Sequence, residues 1–321
     1  MNASTLLVRV QRKTQEAVGI CTLELASVDG HPLPAFSAGS HIDVQLPGGF
    51  TRQYSLCNRA EETHSYLIGV LHDENGRGGS RAVHEQVHTG NVLTISMPRN
   101  HFPLAAEAEK SVLFAGGIGI TPILGMAERL ASLEHPFAMH YYARSRERAA
   151  FVERIQTSTF APNVSFHFDN ADTSQKLDAR AVLDDPTPGV HIYVCGPKGF
   201  MDAVLGAART GGWPEAQLHR EYFGGDPASN ESDGSFEVQI ASSGAILTVP
   251  KGRSVVHALA EAGISVPTSC EQGVCGTCLT RVLKGEPDHR DLYLTPEEQA
   301  RNDQFLPCCS RARSPRLVLD L

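Results

Sequence analysis

The sequence predicts a multi-domain chain in three parts: an antiparallel β-barrel, an α/β doubly wound domain and a small α+β domain. Three observations predict it. Short runs alternating apolar and polar residues fill positions 1–104. From residue 110 onward, apolar strands alternate with amphipathic helices. Near the C-terminus, SCEQGVCGTC sets three cysteines in a glycine-bearing loop.

In the first part, LLVRV, GICTLEL, HIDVQL, RQYSL, SYLIGVL and NVLTIS are punctuated by LPGGF and SMPRN, the spacing of a small antiparallel barrel. A helix is expected over Ser80–His88, capped by Gly79 or Ser80. In the second part, SVLFAGG, FAMHYYAR, VSFHFDN and HIYVCGP read as strands. TPILGMAERLASLE, ERAAFVERIQTS and KGFMDAVLGAART read as helices between and after them, the alternation of a parallel sheet. DPASNESDGS is a polar linker. Beyond it SFEVQI, AILTV, LTRVL and LVLDL are strands, and SVVHALAEAG is a helix with Ser254 as N-cap and Gly263 as stop. The expected domains are 1–104, 105–225, a linker 226–235, and 236–321.

The chain has 321 residues, enough for two or three cores, and a formal net charge of −8. That balance argues against a nucleic-acid footprint and against a polybasic membrane anchor. No signal peptide is visible at the N-terminus. The run from Ser111 to Ala127 has seventeen uncharged residues, but four are Gly and one is Pro. A membrane span needs about twenty mostly apolar residues. A cytoplasmic protein without a membrane segment is expected.

Four of the eight cysteines, Cys270, Cys275, Cys278 and Cys308, follow the order C-x4-C-x2-C…C. This is the spacing of a plant-type 2Fe–2S ferredoxin. Soft thiolate suits iron, and Gly273 and Gly276 let the backbone turn its N–H groups toward sulfur. A four-cysteine zinc site competes, but such sites use two C-x2-C pairs and this loop has one. Cys309 adjoins the fourth ligand, and Cys308 is chosen because its spacing resembles that of plant-type ferredoxins. Cys21, Cys57 and Cys195 read as lone, non-ligating cysteines.

Ala115-Gly116-Gly117-Ile118-Gly119-Ile120-Thr121-Pro122 follows a strand and opens a helix, where glycines admit a pyrophosphate. It is not a strict G-x-G-x-x-G, and alone it is a weak signal that a tight glycine-packed crossover would also explain. With Cys195-Gly196-Pro197 at the end of a later strand, it resembles the ferredoxin–NADP reductase superfamily. That resemblance implies that Gly116, Gly117, Gly119, Thr121, Pro122, Cys195, Gly196 and Pro197 hold the nicotinamide end. It puts Arg144 and Ser145 at the adenosine half, with Asp172 a weaker candidate there. Cys195 then positions the nicotinamide without forming a covalent intermediate.

Arg52-Gln53-Tyr54-Ser55 resembles the R-x-Y-S flavin motif of the same superfamily. Tyr54 supplies a flat surface, Ser55 a hydroxyl and Arg52 a cation for phosphate. Arg77, Gly78, Gly79, Ser80 and Arg81 offer N–H groups and a helix start to that phosphate. Phe223 is the residue expected to stack on the flavin, with Tyr222 as the alternative. Ser55, Thr121, Cys195 and Phe223 make up the expected reacting centre.

His84-Glu85-Gln86-Val87-His88 matches H-E-x-x-H. With no third ligand evident, a zinc hydrolase is the minor reading and a surface or cofactor-side helix the preferred one.

The order of flavin barrel, nicotinamide domain, linker and ferredoxin resembles the phthalate dioxygenase reductase family, which includes the reductase subunits of vanillate O-demethylases. The resemblance covers nearly the whole chain. It implies a β-grasp ferredoxin domain, FMN, a 2Fe–2S cluster and NADH, with electrons delivered to a Rieske-type oxygenase that acts on an aromatic acid. The physics of the sequence leaves FAD open, and three arginines in Ala143–Arg148 leave NADPH open. The docking face is expected around Cys275 and Gly276. A chain carrying all three parts is expected to work as a monomer.

Overall fold

A computed structural model describes residues 5–74, 76, 78–170, 178–223, 233–268 and 271–321. They fall in two compact units, 1–223 and 224–321.

The first unit begins with β1 (Thr5–Ala17), β2 (Ile20–Ser27), β3 (Ser40–Leu46), β4 (Phe50–Ser55), β5 (Tyr66–Leu71), α1 (Gly79–Gln86), β6 (Val92–Ser96) and β7 (Arg99–Asn100). The strands pair antiparallel in the order β4-β3-β6-β1-β2-β5, with β7 on β3. A bridge between Leu56 and Ile68 joins the two ends and closes the barrel. Alternation on β1 sends Val8 and Val10 inward, where Leu23, Leu25, Ile42 and Ile68 meet them.

The α/β part follows with β8 (Lys110–Gly116), α2 (Ile120–Ser132), β9 (Phe137–Ala143), α3 (Val152–Gln156), β10 (Val164–Phe168), α4 (Ala179–Val182), β11 (Val190–Gly196), α5 (Lys198–Thr210) and β12 (Leu218–Tyr222). All five strands are parallel in the order β10-β9-β8-β11-β12. β11 is buried along its whole length, as expected of a central parallel strand covered on both faces.

The barrel and the α/β sheet share one apolar core. Ile20, Ala38, Cys57 and Phe102 pack in the same cluster as Leu113, Tyr141 and Tyr193. This explains why residues 1–223 form one unit although their strands belong to two sheets.

The second unit has β13 (Phe236–Ile240), β14 (Ile246–Val249), α6 (Val255–Glu261), β15 (Thr280–Lys284), β16 (Pro287–Asp288), α7 (Pro296–Arg301), β17 (Gln304–Phe305), β18 (Arg311–Ala312) and β19 (Arg316–Leu319). Its main sheet runs β14-β13-β19-β15-β17, with β13 and β19 parallel and α6 packed on it through Val255 and Leu259. Ser254 caps α6 through the His257 N–H, and Gly263 takes φ 78° just past its end.

Several local expectations need correction. The helix expected over Ser80–His88 runs from Gly79 to Gln86, because Val87 turns extended and Lys13 Nζ donates to the carbonyls of Val83, His84 and Val87. The helix expected from ERAAFVERIQTS is only Val152–Gln156, because Phe151 adopts φ 60°, outside the helical region. α7 went unread, although Thr295 and Glu298 form a complete capping box. The expected linker 226–235 lies largely outside the described residues, but its end is anchored. Asp233 is buried and accepts from Arg290 Nη1 at 2.9 Å, and Gly234 O accepts from Arg311 Nη2 at 2.9 Å.

Arg290 also pairs with Asp288 at 2.6 Å, so Asp233→Ala leaves its charge compensated and removes only the charge-assisted hydrogen bonds to Asp233. It is expected to destabilise the second unit by about 1.5–3 kcal/mol, measured as lost hydrogen-exchange protection across β13 and β19.

Candidate functional site

The crevice of a doubly wound sheet opens where consecutive crossovers leave in opposite directions, here between β8 and β11. The segments after these two strands are the two glycine motifs, and they touch. A Cβ built on Gly119 would overlap the Cys195 carbonyl and lie 2.6 Å from Gly196 N. One built on Gly196 would lie 2.9 Å from Gly116 Cα. Gly117 differs: it holds φ +53°, and a Cβ there would meet nothing within 4 Å. The backbone at Gly117 thus borders open space beside the crevice, which fits close approach of a dinucleotide.

Thr121 is buried. Its hydroxyl donates to Ile118 O at 3.0 Å, and its methyl faces Gly69 of β5, where a Cβ would lie 2.9 Å away. Pro122 lies in the first turn of α2. Pro197 precedes α5. Cys195 is fully buried, and burial followed by the nearby Glu221 pushes its thiol well up, so it stays protonated and unreactive. Arg144 lies exposed just past β9, and Ser145 begins the next turn, bonded to Glu147. Asp172 and Arg77 lie outside the described residues.

On the barrel side, the Arg52 guanidinium lies over the Phe50 ring at 5.3 Å and against Gly79, where a Cβ would sit 2.7 Å from Arg52 Nε. Gly78 precedes α1 at φ 89°, and no side chain caps that helix start. An uncapped helix N-terminus flanked by Arg52, with exposed Arg81 in its first turn, fits an anionic phosphate. Ser80 faces the other way, its Oγ accepting from Asp73 N at 3.1 Å. Tyr54 packs at the edge of the barrel core. Phe223 is exposed and Tyr222 is packed against the β11–α5 core.

Sequence reasoning missed the residues that link the two sides. Ser55 Oγ donates to Glu221 Oε2 at 3.3 Å, and Glu221 is the β12 partner of Cys195 on β11. Burial pushes the Glu221 carboxyl up to about 8. His41 Nδ1 lies 4.0 Å from Glu221 Oε1, but burial, followed by Arg99 and His101, pushes His41 down to about 4. Near neutral pH the two therefore face each other uncharged, and their contact is not an ion pair. Nothing in the local pattern marks Glu221 or His41; only the β3–β4 and β11–β12 pairings bring them to Ser55 and Cys195.

The H-E-x-x-H stretch is not a metal face. His84 Nε2 meets Val70 O at 3.0 Å, and His88 lies beyond the end of α1.

In the second unit, Gly273 and Gly276 hold φ +74° and +69°, conformations that favour glycine. Cys275, Cys278 and Cys308 are buried, and Cys278 and Cys308 hydrogen-bond to each other. That bond, followed by burial, pushes the Cys278 thiol up. The Cys309 thiol also lies at this loop, bonded to Cys308 and crowding Gly273. Asp291, also missed, is buried and accepts from Leu294 N at 2.8 Å and Ser310 Oγ at 3.3 Å, while Leu292 N donates to Gly273 O at 3.0 Å. The Asp291–Leu292 segment thus ties the cysteine loop, through Leu292, to the Cys308 segment, through Asp291 and Ser310. The Tyr293 ring covers Gly276 and remains exposed. Among the described residues no three His, Cys, Asp or Glu side chains converge as a metal group, and Cys270 lies outside them. The chemistry of the donor set, four thiols in this spacing, fits an iron–sulfur cluster.

Residues 238–313 match the family model described as a 2Fe-2S iron-sulfur cluster binding domain. Residues 95–218 match that of the dimethylamine monooxygenase subunit DmmA-like, N-terminal domain. The vanillate O-demethylase oxidoreductase of Pseudomonas putida is 58% identical over 313 residues, covering 97% of this chain and 98% of its own. The phthalate dioxygenase reductase of Burkholderia cepacia is 39% identical over 317 residues, covering 98% and 97%. The chain belongs to the phthalate dioxygenase reductase family. A solved phthalate dioxygenase reductase, described as a modular structure for electron transfer from pyridine nucleotides to [2Fe-2S], superposes with a TM-score of 0.81 at 38% identity, covering 99% of this chain and 98% of that one. Family membership establishes the chain as an oxidoreductase of three modules: flavin barrel, nucleotide domain and ferredoxin. Among the described residues no helix is long and apolar enough to cross a membrane.

Two predictions follow from the crevice. Gly119→Ala must displace the Cys195 peptide, and overpacking of this kind costs about 1–3 kcal/mol, read from chemical denaturation of the first unit. The Glu221 carboxyl ionises near 4.5 when unfolded and near 8 when folded. Its contribution to stability is therefore full below the lower value and lost as pH rises toward the upper one. The melting temperature of the wild type is expected to fall over that window more steeply than that of Glu221→Gln.

Proposed function

We propose that this chain is the NADH-oxidising reductase component of a Rieske-type aromatic oxygenase system, with FMN and a 2Fe–2S cluster as its resident groups. The observation that carries the reading is the convergence on Glu221. The Ser55 hydroxyl of the flavin motif bonds it directly, and Cys195 of the nicotinamide motif is its neighbour across β11 and β12. Hydride transfer needs two rings stacked without water between them, and this is where the two motifs meet.

FMN and the cluster, when bound, supply the conversion of a two-electron hydride into single electrons. The chain supplies positioning. Arg52, Arg81 and the backbone N–H groups of Gly78, Gly79 and Ser80 would hold the FMN phosphate at the start of α1, with Arg77 joining from outside the described residues. Tyr54 and Phe223 offer aromatic surface to the isoalloxazine. Gly116, Gly117 and Gly119 admit the pyrophosphate, Thr121, Pro122, Cys195, Gly196 and Pro197 border the nicotinamide, and Arg144 and Ser145 take the adenosine half. Ser55 and the protonated Glu221 keep a proton in a buried place beside the reacting rings. Cys270, Cys275, Cys278 and Cys308 would ligate iron. Cys308 is favoured over Cys309 because it bonds both Cys278 and the Gly273 backbone.

The finer assignments rest on the family and on the site. NADH is preferred over NADPH, the partner is a Rieske-type oxygenase docking near Cys275 and Gly276, and the chain acts as a cytoplasmic monomer. An anaerobic NADH titration followed by visible absorbance and low-temperature EPR tests the reading. Flavin bleaching with a rhombic 2Fe–2S signal is expected, and an absence of bleaching would remove the NADH assignment. Cys308→Ala is expected to abolish the EPR signal and keep the flavin bleaching, while Cys309→Ala keeps both. The reverse pattern would move the fourth ligand to Cys309.

A further inference from the structure

An α-helix leaves its last four carbonyls without partners inside the helix. In α1 these belong to Val83, His84, Glu85 and Gln86. Two of them, with the Val87 carbonyl just beyond, are met by one group from another strand. Lys13 Nζ donates to Val83 O at 2.9 Å, to His84 O at 2.7 Å and to Val87 O at 2.8 Å. An ammonium has three N–H donors, and all three are used here. Within α1 the basic residue of the last turn is His84, and its ring is turned to Val70 O on β5 at 3.0 Å. The cation at this helix end is therefore Lys13.

An irregularity in β1 aims Lys13 at the helix. Val8 and Val10 face the barrel core, and strict alternation would send Arg12 the same way. The register of β1 on β2 shifts between Val10 and Arg12, which changes the phase by one residue. Arg12 is left exposed, paired with Glu24 at 2.8 Å, and Lys13 takes the half-buried place.

The opposite end of α1 is the proposed phosphate site. It has no side-chain cap and no acidic residue in its first turn, and Arg52 lies against Gly79. α1 has eight residues and is about 12 Å long at 1.5 Å per residue. Isolated helices shorter than about 12–15 residues are marginal, so the direction of the first N–H groups depends on what grips this one. A cation at the C-terminal end stabilises the helix and offsets the partial negative charge there, leaving the positive end unopposed.

We propose that Lys13 is a positioning residue for the flavin phosphate, acting through α1. It grips the C-terminal end of the helix and keeps the N–H groups of Gly78, Gly79 and Ser80 aimed at one point. The inference rests on the reading of this helix start as the FMN phosphate site. It requires that Lys13 matter to a flavin with a phosphate and not to one without.

The test uses the full chain, stripped of flavin and titrated with FMN and with riboflavin, which differ only in the phosphate. Binding is followed by flavin fluorescence. The wild type is expected to prefer FMN. Lys13→Met removes the charge and is expected to weaken FMN about tenfold, within the range of a cation at a partly buried helix end, and to leave riboflavin unchanged. Lys13→Arg restores a cation with N–H donors and is expected to recover most of the lost FMN affinity. An FMN preference undiminished in Lys13→Met would overturn the inference and leave the phosphate site standing. Equal binding of FMN and riboflavin by the wild type would overturn the phosphate site and the inference with it. Equal loss of both flavins in Lys13→Met, or no recovery in Lys13→Arg, would reduce Lys13 to a scaffold residue and overturn its role toward the phosphate.

Discussion

Gly119 and the Cys195–Gly196 peptide approach so closely that no side chain fits between them. Two crossovers of the parallel sheet are thereby held edge to edge, and the crevice between β8 and β11 takes its shape from that contact. The glycines are not interchangeable in this arrangement. Gly119 and Gly196 are small because backbone lies against them, whereas Gly117 stands in a left-handed conformation beside open space. One motif therefore does two jobs, closing the packing on one side and leaving room for a ligand on the other.

The same closeness extends to the barrel. Thr121, two residues past Gly119, packs its methyl where β5 has Gly69, and the barrel residues Cys57 and Phe102 share a core with Leu113 and Tyr193. A shared core resists sliding of one layer on the other, because interiors are packed to crystal-like density. Two rings that exchange a hydride need a fixed separation, and this core provides it without a covalent tether. Glu221 sits at the seam, with Ser55 from the barrel on one side and Cys195 from the sheet on the other. Its burial keeps the carboxyl protonated, so the seam carries no charge that would draw in water.

The second unit solves a different problem with similar means. A cluster of anionic sulfur needs backbone turned toward it, and Gly273 and Gly276 take the required conformations. The loop is then steadied from outside by Leu292 N, which donates to Gly273 O, while the neighbouring Asp291 accepts from Leu294 and Ser310. The unit's first described residue, Asp233, is itself buried against Arg290, so the fold begins where the polar linker was expected to be still running.

Local chemistry alone determined most of the architecture. Period-two alternation marks the barrel strands, a continuous apolar run followed by glycines marks β8, Ser254 and Gly263 mark the ends of α6, and C-x4-C-x2-C marks the cluster loop, because each is written within a few adjacent residues. The capping box of α7 is equally local, written in Thr295 and Glu298. What only the tertiary structure decided are relations between distant positions: that Glu221 stands beside Cys195, that His41 is driven neutral next to it, and that the Asp291–Leu292 segment meets the cysteine loop at Gly273. Strand register and burial set these, and neither exists until segments far apart in the chain have packed together.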